Sequence, residues 1–266
     1  KRTFYDGFVN SLVSAPQRGH HLPRFISEKL FRKSLNFPEF IREAFRLGLP
    51  RATATHKDGD SLLTYFCRFY DQRDLYEIVS VLCEHGVDPN QSNRFGHNAL
   101  LALLANVRSA GTHLHRAPEI IRLLIRRNVD VNHVDIYGEN ALWTLGHLNS
   151  IRAFTSIARV LLEAGINVHY RPRTVSTSNA YLNFLVRKSE CSHRSTADSY
   201  TKSLYELTQL FVYYGINVND QTERGRNNAL TLLALDCPAM YDREYFLETV
   251  RLLLSVDINV NHTDFK

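Results

Sequence analysis

One short phrase returns five times along the 266 residues, and it limits the possible folds more than any other feature. It reads Gly86-Val87-Asp88-Pro89-Asn90 and Asn128-Val129-Asp130-Val131-Asn132. It then reads Gly165-Ile166-Asn167-Val168-His169, Gly215-Ile216-Asn217-Val218-Asn219 and Asp257-Ile258-Asn259-Val260-Asn261. Successive copies are 42, 37, 50 and 42 residues apart. A period in this range marks a chain assembled from supersecondary units that bury their apolar faces only against one another. A single closed core is therefore not required, whatever the length would suggest.

Each copy follows an apolar segment: LYEIVSVLCEH, PEIIRLLIRR, SIARVLLEA, LYELTQLFVYY and LETVRLLLS. In the second, Ile120, Ile121, Leu123 and Leu124 form a broad stripe at a period of 3.6, which predicts a packed helix. Gly86, Gly165 and Gly215 stand where such helices stop, and glycine enters the left-handed C′ conformation without steric cost. A second phrase begins six residues past the terminal Asn of an arm: Gly96-His97-Asn98-Ala99-Leu100 and Gly138-Glu139-Asn140-Ala141-Leu142. Looser forms are Gly225-Arg226-Asn227-Asn228-Ala229-Leu230 and Gly59-Asp60-Ser61-Leu62-Leu63. Asn or Ser before an apolar helix is an N-cap, accepting a bond from an otherwise unmet backbone N–H. The predicted unit is thus turn, cap, first helix, loop, second helix, glycine stop and extended arm.

The V-D-V-N arms, the turn from Asp135 to Gly138 and the capped Asn-Ala-Leu openings resemble the ankyrin-repeat family over roughly residues 38–266. Asn-Ala-Leu stands where that family usually has Thr-Pro-Leu-His. The resemblance implies an all-α solenoid of stacked helix–loop–helix units joined by short hairpin loops. Every interval exceeds the family period of about 33, and the surplus falls between the paired helices, in ANVRSAGTHLHRAPE and KSECSHRSTADSY. The fourth unit, opened by Asn179, is the most distorted, because its turn TVSTSN has no glycine. The expected organisation is an N-terminal extension (1–23), a helical cap or degenerate repeat (24–57) and about five repeats (58–266), a further one being truncated. Lys1 in place of Met, and an arm that stops at Lys266, suggest a piece of a longer chain. That reading predicts extra apolar exposure on the last helix pair, around Leu252, Leu253 and Leu254.

Chemistry is sparse. No G-x-x-x-x-G-K-[ST], H-E-x-x-H or G-x-S-x-G is present, and the H-K-D-G-D run at 56–60 lacks calcium-loop spacing. His113/His115 and Cys191/His193 are the nearest approach to metal ligands and have no partners close in sequence. The four cysteines form no C-x-x-C pair, which fits a reduced intracellular compartment, cytoplasmic or nuclear. The regular Asp and Asn of the arms read as turn-stabilising, since a catalytic pair is needed once and a turn bond in every unit. His133 and His262, at one repeat position, read as structural. Some ankyrin arrays are hydroxylated at arm asparagines, and the resemblance would make Asn132 such a substrate. A net charge of +5 is too weak for a dedicated nucleic-acid face. No run reaches the ~18–20 apolar residues of a membrane span.

These observations imply no catalytic residues, no cofactor, no metal, no small-molecule substrate and no membrane insertion. The expected function is a non-enzymatic protein–protein scaffold or adaptor, such as those of signal transduction. It binds through the concave face and the hairpin tips Arg94, Phe95, Ile136, Tyr137, Glu223 and Arg224. Exposed aromatic and arginine side chains are the chemistry of interface hot spots. A narrower alternative is the substrate-recognition arm of a ubiquitin ligase, with a SOCS-box or F-box segment beyond Lys266.

Overall fold

The computed structural model describes residues 37–46, 59–70, 73–110, 115–148, 150–172, 179–190, 197–222, 227–235 and 243–260. Eleven α-helices occur among them: α1 (Phe37–Arg46), α2 (Leu62–Phe69), α3 (Leu75–Glu84), α4 (Ala99–Ala110), α5 (Ala117–Arg126) and α6 (Ala141–Leu145). The series continues with α7 (Ile151–Glu163), α8 (Ala180–Glu190), α9 (Ala197–Tyr213), α10 (Ala229–Leu235) and α11 (Arg243–Ser255). No strand is found among the described residues, only one bridge between Val134 and Asn140 inside a hairpin. The helices form two rows. The inner row packs α2 on α4, α4 on α6, α6 on α8 and α8 on α10. The outer row packs α1 on α3, α3 on α5, α5 on α7, α7 on α9 and α9 on α11. The segment 37–46, expected to be the second helix of a degenerate first unit, indeed joins the outer row. Its partner segment 24–35, the extension 1–23 and the expected stop at 47–50 lie outside the described residues.

One apolar core runs the length of the stack, from Ile41 through Leu82, Leu104, Ile121, Phe154, Phe184 and Phe211 to Leu253. Burying one such side chain contributes about 1.5–3 kcal/mol, and each is covered by the unit before or after its own. Three buried phenylalanines meet in the middle, with Phe154 4.5 Å from Phe184 and 6.1 Å from Phe211, ring centre to ring centre. Among the described residues, the last pair is covered on one side only. Leu253 is buried, but Leu247 and Leu254 are exposed, and Val260 is 58% exposed where its counterpart Val218 is 6%. The extra exposure expected of that pair is therefore present, although Leu253 itself does not share in it.

The cap residues do more than the sequence announced. Asn98, Asn140, Asn179 and Asn228 each accept from the backbone N–H three residues on, at 2.9–3.0 Å. In three of them the amide nitrogen also donates across the unit. Asn98 Nδ2 reaches the Asp130 carbonyl (3.1 Å), Asn179 Nδ2 that of Asn217 (2.9 Å) and Asn228 Nδ2 that of Asn259 (2.9 Å). Asn carries its acceptor oxygen and its donor nitrogen on separate atoms of one planar amide, so it can cap the helix and reach the arm at once. This is a physical reason for Asn-Ala-Leu in place of Thr-Pro-Leu-His.

The surplus residues between paired helices lengthen helices as well as loops. α4 runs 12 residues, to Ala110, and α9 runs 17. α6 goes the other way, with only five.

Candidate functional site

The arms and hairpins are built by a repeated set of polar bonds. Within each arm, an Asx turn closes the bend: the Asn90 N–H donates to Asp88 Oδ1 (2.8 Å), Asn132 N–H to Asp130 Oδ1 (2.9 Å) and Asn219 N–H to Asn217 Oδ1 (3.0 Å). The side chain of the same Asn then clamps the next unit. Asn90 Oδ1 accepts from Asp130 N–H (2.6 Å) while its Nδ2 donates to the Asn128 carbonyl (2.9 Å). Asn132 does the same to Asn167 (2.7 Å) and Gly165 (3.3 Å), and Asn219 to Asn259 (2.7 Å) and Asp257 (3.0 Å). The amide of Asn132 is thus occupied in holding the array together. The expected structural role of the arm Asn and Asp residues is what their bonds show. His169 breaks the series. At that junction Arg171 pairs with Asp220, and Asp220 also accepts from Asn179 Nδ2 (3.0 Å) and Asn217 Nδ2 (2.7 Å).

The turns follow a second rule, in which the first turn residue reaches the residue after glycine in the preceding unit. Asn93 Nδ2 donates to buried Asp60 Oδ1 at 2.6 Å, and Asn93 Oδ1 accepts from the N–H groups of Phe95 and His97. Asp135 holds the equivalent place. Its Oδ1 accepts from Tyr137 and Glu139 N–H, both 2.8 Å, and its Oδ2 lies 3.7 Å from His97 Nε2. Burial alone would raise the Asp135 carboxyl. The hydrogen bonds from His97, Glu139 and Tyr137 outweigh it and hold the group below its ordinary value of 3.8. His133 Nε2 donates to the Gly96 carbonyl (2.7 Å) and lies 3.1 Å from Ser92 Oγ, the structural role expected of it. His262 lies outside the described residues.

Neighbouring hairpins touch through backbone. Ile136 N–H donates to the Phe95 carbonyl at 3.2 Å, and Gly96 sits so close that a Cβ there would be 2.7 Å from Ile136 N. This fixes four of the six expected contact residues on one edge: Arg94, Phe95, Ile136 and Tyr137. They are not equivalent. Phe95 is half-buried, with the Arg68 guanidinium 4.5 Å from its ring centre and that of Arg94 at 4.7 Å. Arg68 in turn lies over Phe69 (4.7 Å) and pairs with Asp60 at 3.3 Å. Phe95 therefore belongs to a cation–π stack that ties hairpin to helix. Ile136 and Tyr137 are each 59% exposed, with Val134 and Phe69 also at the surface. The sequence did not single out Arg68 and Phe69. Both sit at the end of α2, which reads as an ordinary amphipathic helix. Glu223 and Arg224 lie outside the described residues, as do His113, Cys191 and His193.

Among the described residues no group of three His, Cys, Asp or Glu side chains could hold a metal ion. No described helix is long and apolar enough to cross a membrane. Cys67 and Cys83 are free thiols; burial raises both, Cys83 to about 11.

Two rows of capped helix pairs, joined by arms and hairpins with one shared bonding rule, define an ankyrin-repeat solenoid. Comparison with known proteins agrees. The chain is 27% identical over 204 residues to protein L91 of Acanthamoeba polyphaga mimivirus, whose name describes an ankyrin-repeat protein. That match covers 75% of this chain and 29% of the viral protein, so the chain spans under a third of its relative. The crystal structure of an ankyrin repeat domain from Acinetobacter baumannii superimposes with a TM-score of 0.55 at 17% identity. The likeness covers 83% of this chain and 94% of that one, and it shows the shared fold. No family model matches the chain. The chain thus has the ankyrin-repeat fold and is similar in sequence to an ankyrin-repeat protein.

Proposed function

We propose that this array is a non-enzymatic scaffold or adaptor that seizes a protein partner through its hairpin tips and the adjoining inner-helix face. One observation carries the reading: Ile136 and Tyr137 stand 59% exposed on a hairpin whose backbone is fixed from both sides. On a backbone already held rigid, a partner that covers an exposed apolar side chain has only that side chain left to order. Arg94 and Phe95 extend the edge in one direction. The tip at Glu223 and Arg224 serves the same purpose in a later unit. The free thiols fit a reducing, intracellular setting. The ubiquitin-ligase arm is a narrower form of the same reading, with ligase subunits among the proteins recovered.

The test is quantitative affinity capture from cells, comparing wild type with an Ile136→Ala, Tyr137→Ala double variant. The expected result is at least a tenfold loss of specific partners at an unchanged thermal midpoint. Equal recovery by both proteins places the binding surface elsewhere.

A further inference from the structure

Asn106 and Arg187 hold equivalent places. Each lies eight residues past its N-cap, Asn98 and Asn179, on the stripe of an inner helix that faces the preceding inner helix. In α4, Asn106 Nδ2 donates to the carbonyls of Cys67 and Tyr70, 3.0 Å each, and so closes the end of α2. Such end carbonyls have no partner within their own helix. α2 has eight residues, but α6 has five, because the chain tightens at Gly146, whose N–H bonds back to the Trp143 carbonyl. The closing bond is accordingly made one turn earlier along α8. Asn183 Nδ2 faces the Trp143 carbonyl at 3.4 Å, packed so tightly on Gly146 that a methyl group there would clash with it.

Arg187, one turn further on, is left with no helix end to close. Asn183 and Arg187 share a face by their i, i+4 spacing, and Arg187 Nε donates to Asn183 Oδ1 at 3.1 Å. That bond pins the half-buried guanidinium in place. Its two terminal nitrogens meet no acceptor among the described residues. Arg68, also half-buried, has Asp60. The end of α6 adds further unmet polar atoms: Trp143 Nε1 and His147 Nε2 are buried without hydrogen-bond partners. His147 Nε2 has an acid nearby without a hydrogen bond: Glu139, which precedes the N-cap Asn140, lies 3.7 Å from it.

We propose that Arg187 is the seat for a carboxylate side chain, Asp or Glu, of the protein partner. The proposal rests on the reading that a partner lies along the inner-helix face. The fork of two terminal nitrogens matches the planar, two-oxygen geometry of a carboxylate. A single cation suits one negative charge better than the two of a phosphate.

The test follows the arginine Nε–Hε resonances of the full chain by nuclear magnetic resonance, with the Arg187 peak assigned from an R187K variant. The probe is N-acetyl-glutamate methylamide. The expected result is a saturable shift at Arg187 at least tenfold larger than at Arg152 and Arg159, which are exposed on α7. The glutamine analogue should give none. A linear response equal to that of Arg152 and Arg159 overturns the proposal. So does tighter binding of inorganic phosphate than of the glutamate probe. The titration needs no hairpin-tip contact, so its failure beside a successful tip-variant capture removes this seat and leaves the interaction surface standing.

Discussion

At the scale of single residues, the turn pair Asn93 and Asp135 shows how one backbone position accepts two chemistries. Both side chains accept the same two N–H bonds, but Asn93 answers a buried Asp60 and Asp135 answers His97. Asp135→Ala loses both backbone bonds and should cost about 2 kcal/mol in urea denaturation. Asp135→Asn keeps them, on the pattern of Asn93, and should cost about 1 kcal/mol or less. The carboxyl is depressed in the folded state, so its ionised form stabilises the fold above the unfolded value and that stabilisation is lost as pH falls through the folded value. The loss therefore belongs below about pH 4. An unfolding series from pH 7 to pH 2 should show a smaller acid-side decline for Asp135→Asn than for wild type. Glycines separate just as sharply. Gly96 and Gly86 both have positive φ, yet a Cβ at Gly86 meets nothing within 4 Å, whereas one at Gly96 strikes Ile136 N. Gly86→Ala should cost about 1–2 kcal/mol for the left-handed backbone alone. Gly96→Ala should cost more, by breaking the bond between hairpins; calorimetric midpoints check the order.

At the scale of elements, the arm asparagine is the joint. Asn90, Asn132 and Asn219 each bridge two backbone groups of the next unit, and His169 does not. Asn132→Ala should lose about 1–2 kcal/mol. His169→Asn should restore the clamp at the one described arm without it and raise stability by up to about 1 kcal/mol. A fall in stability for His169→Asn would show that Arg171 and Asp220 already exclude the clamp. This layer was only half legible in sequence. The 3.6 period, the cap positions and the glycine stops are local properties, and they placed the helices and arms. That the same Asn both turns its own arm and holds its neighbour's depends on two segments about 40 residues apart, which spacing alone does not reveal. Likewise Phe95 reads as an exposed tip residue because nothing in its neighbourhood announces Arg68, a unit away.

At the scale of the molecule, stability in such an array is close to a sum of unit and junction contributions. The core is continuous, and on the proposed reading the function resides in what each unit leaves uncovered. The repeat made the fold readable because every unit states the same rule. Ile136 and Tyr137 were identifiable as tip residues by register. Arg187 was not, because its significance comes from the early end of α6, set by packing of Asn183 on Gly146. The most direct test of the central claim is partner capture by wild type against the Ile136→Ala, Tyr137→Ala variant at matched folding. The account predicts at least a tenfold loss in the variant. Undiminished capture, with both proteins melting at the same temperature, would contradict it.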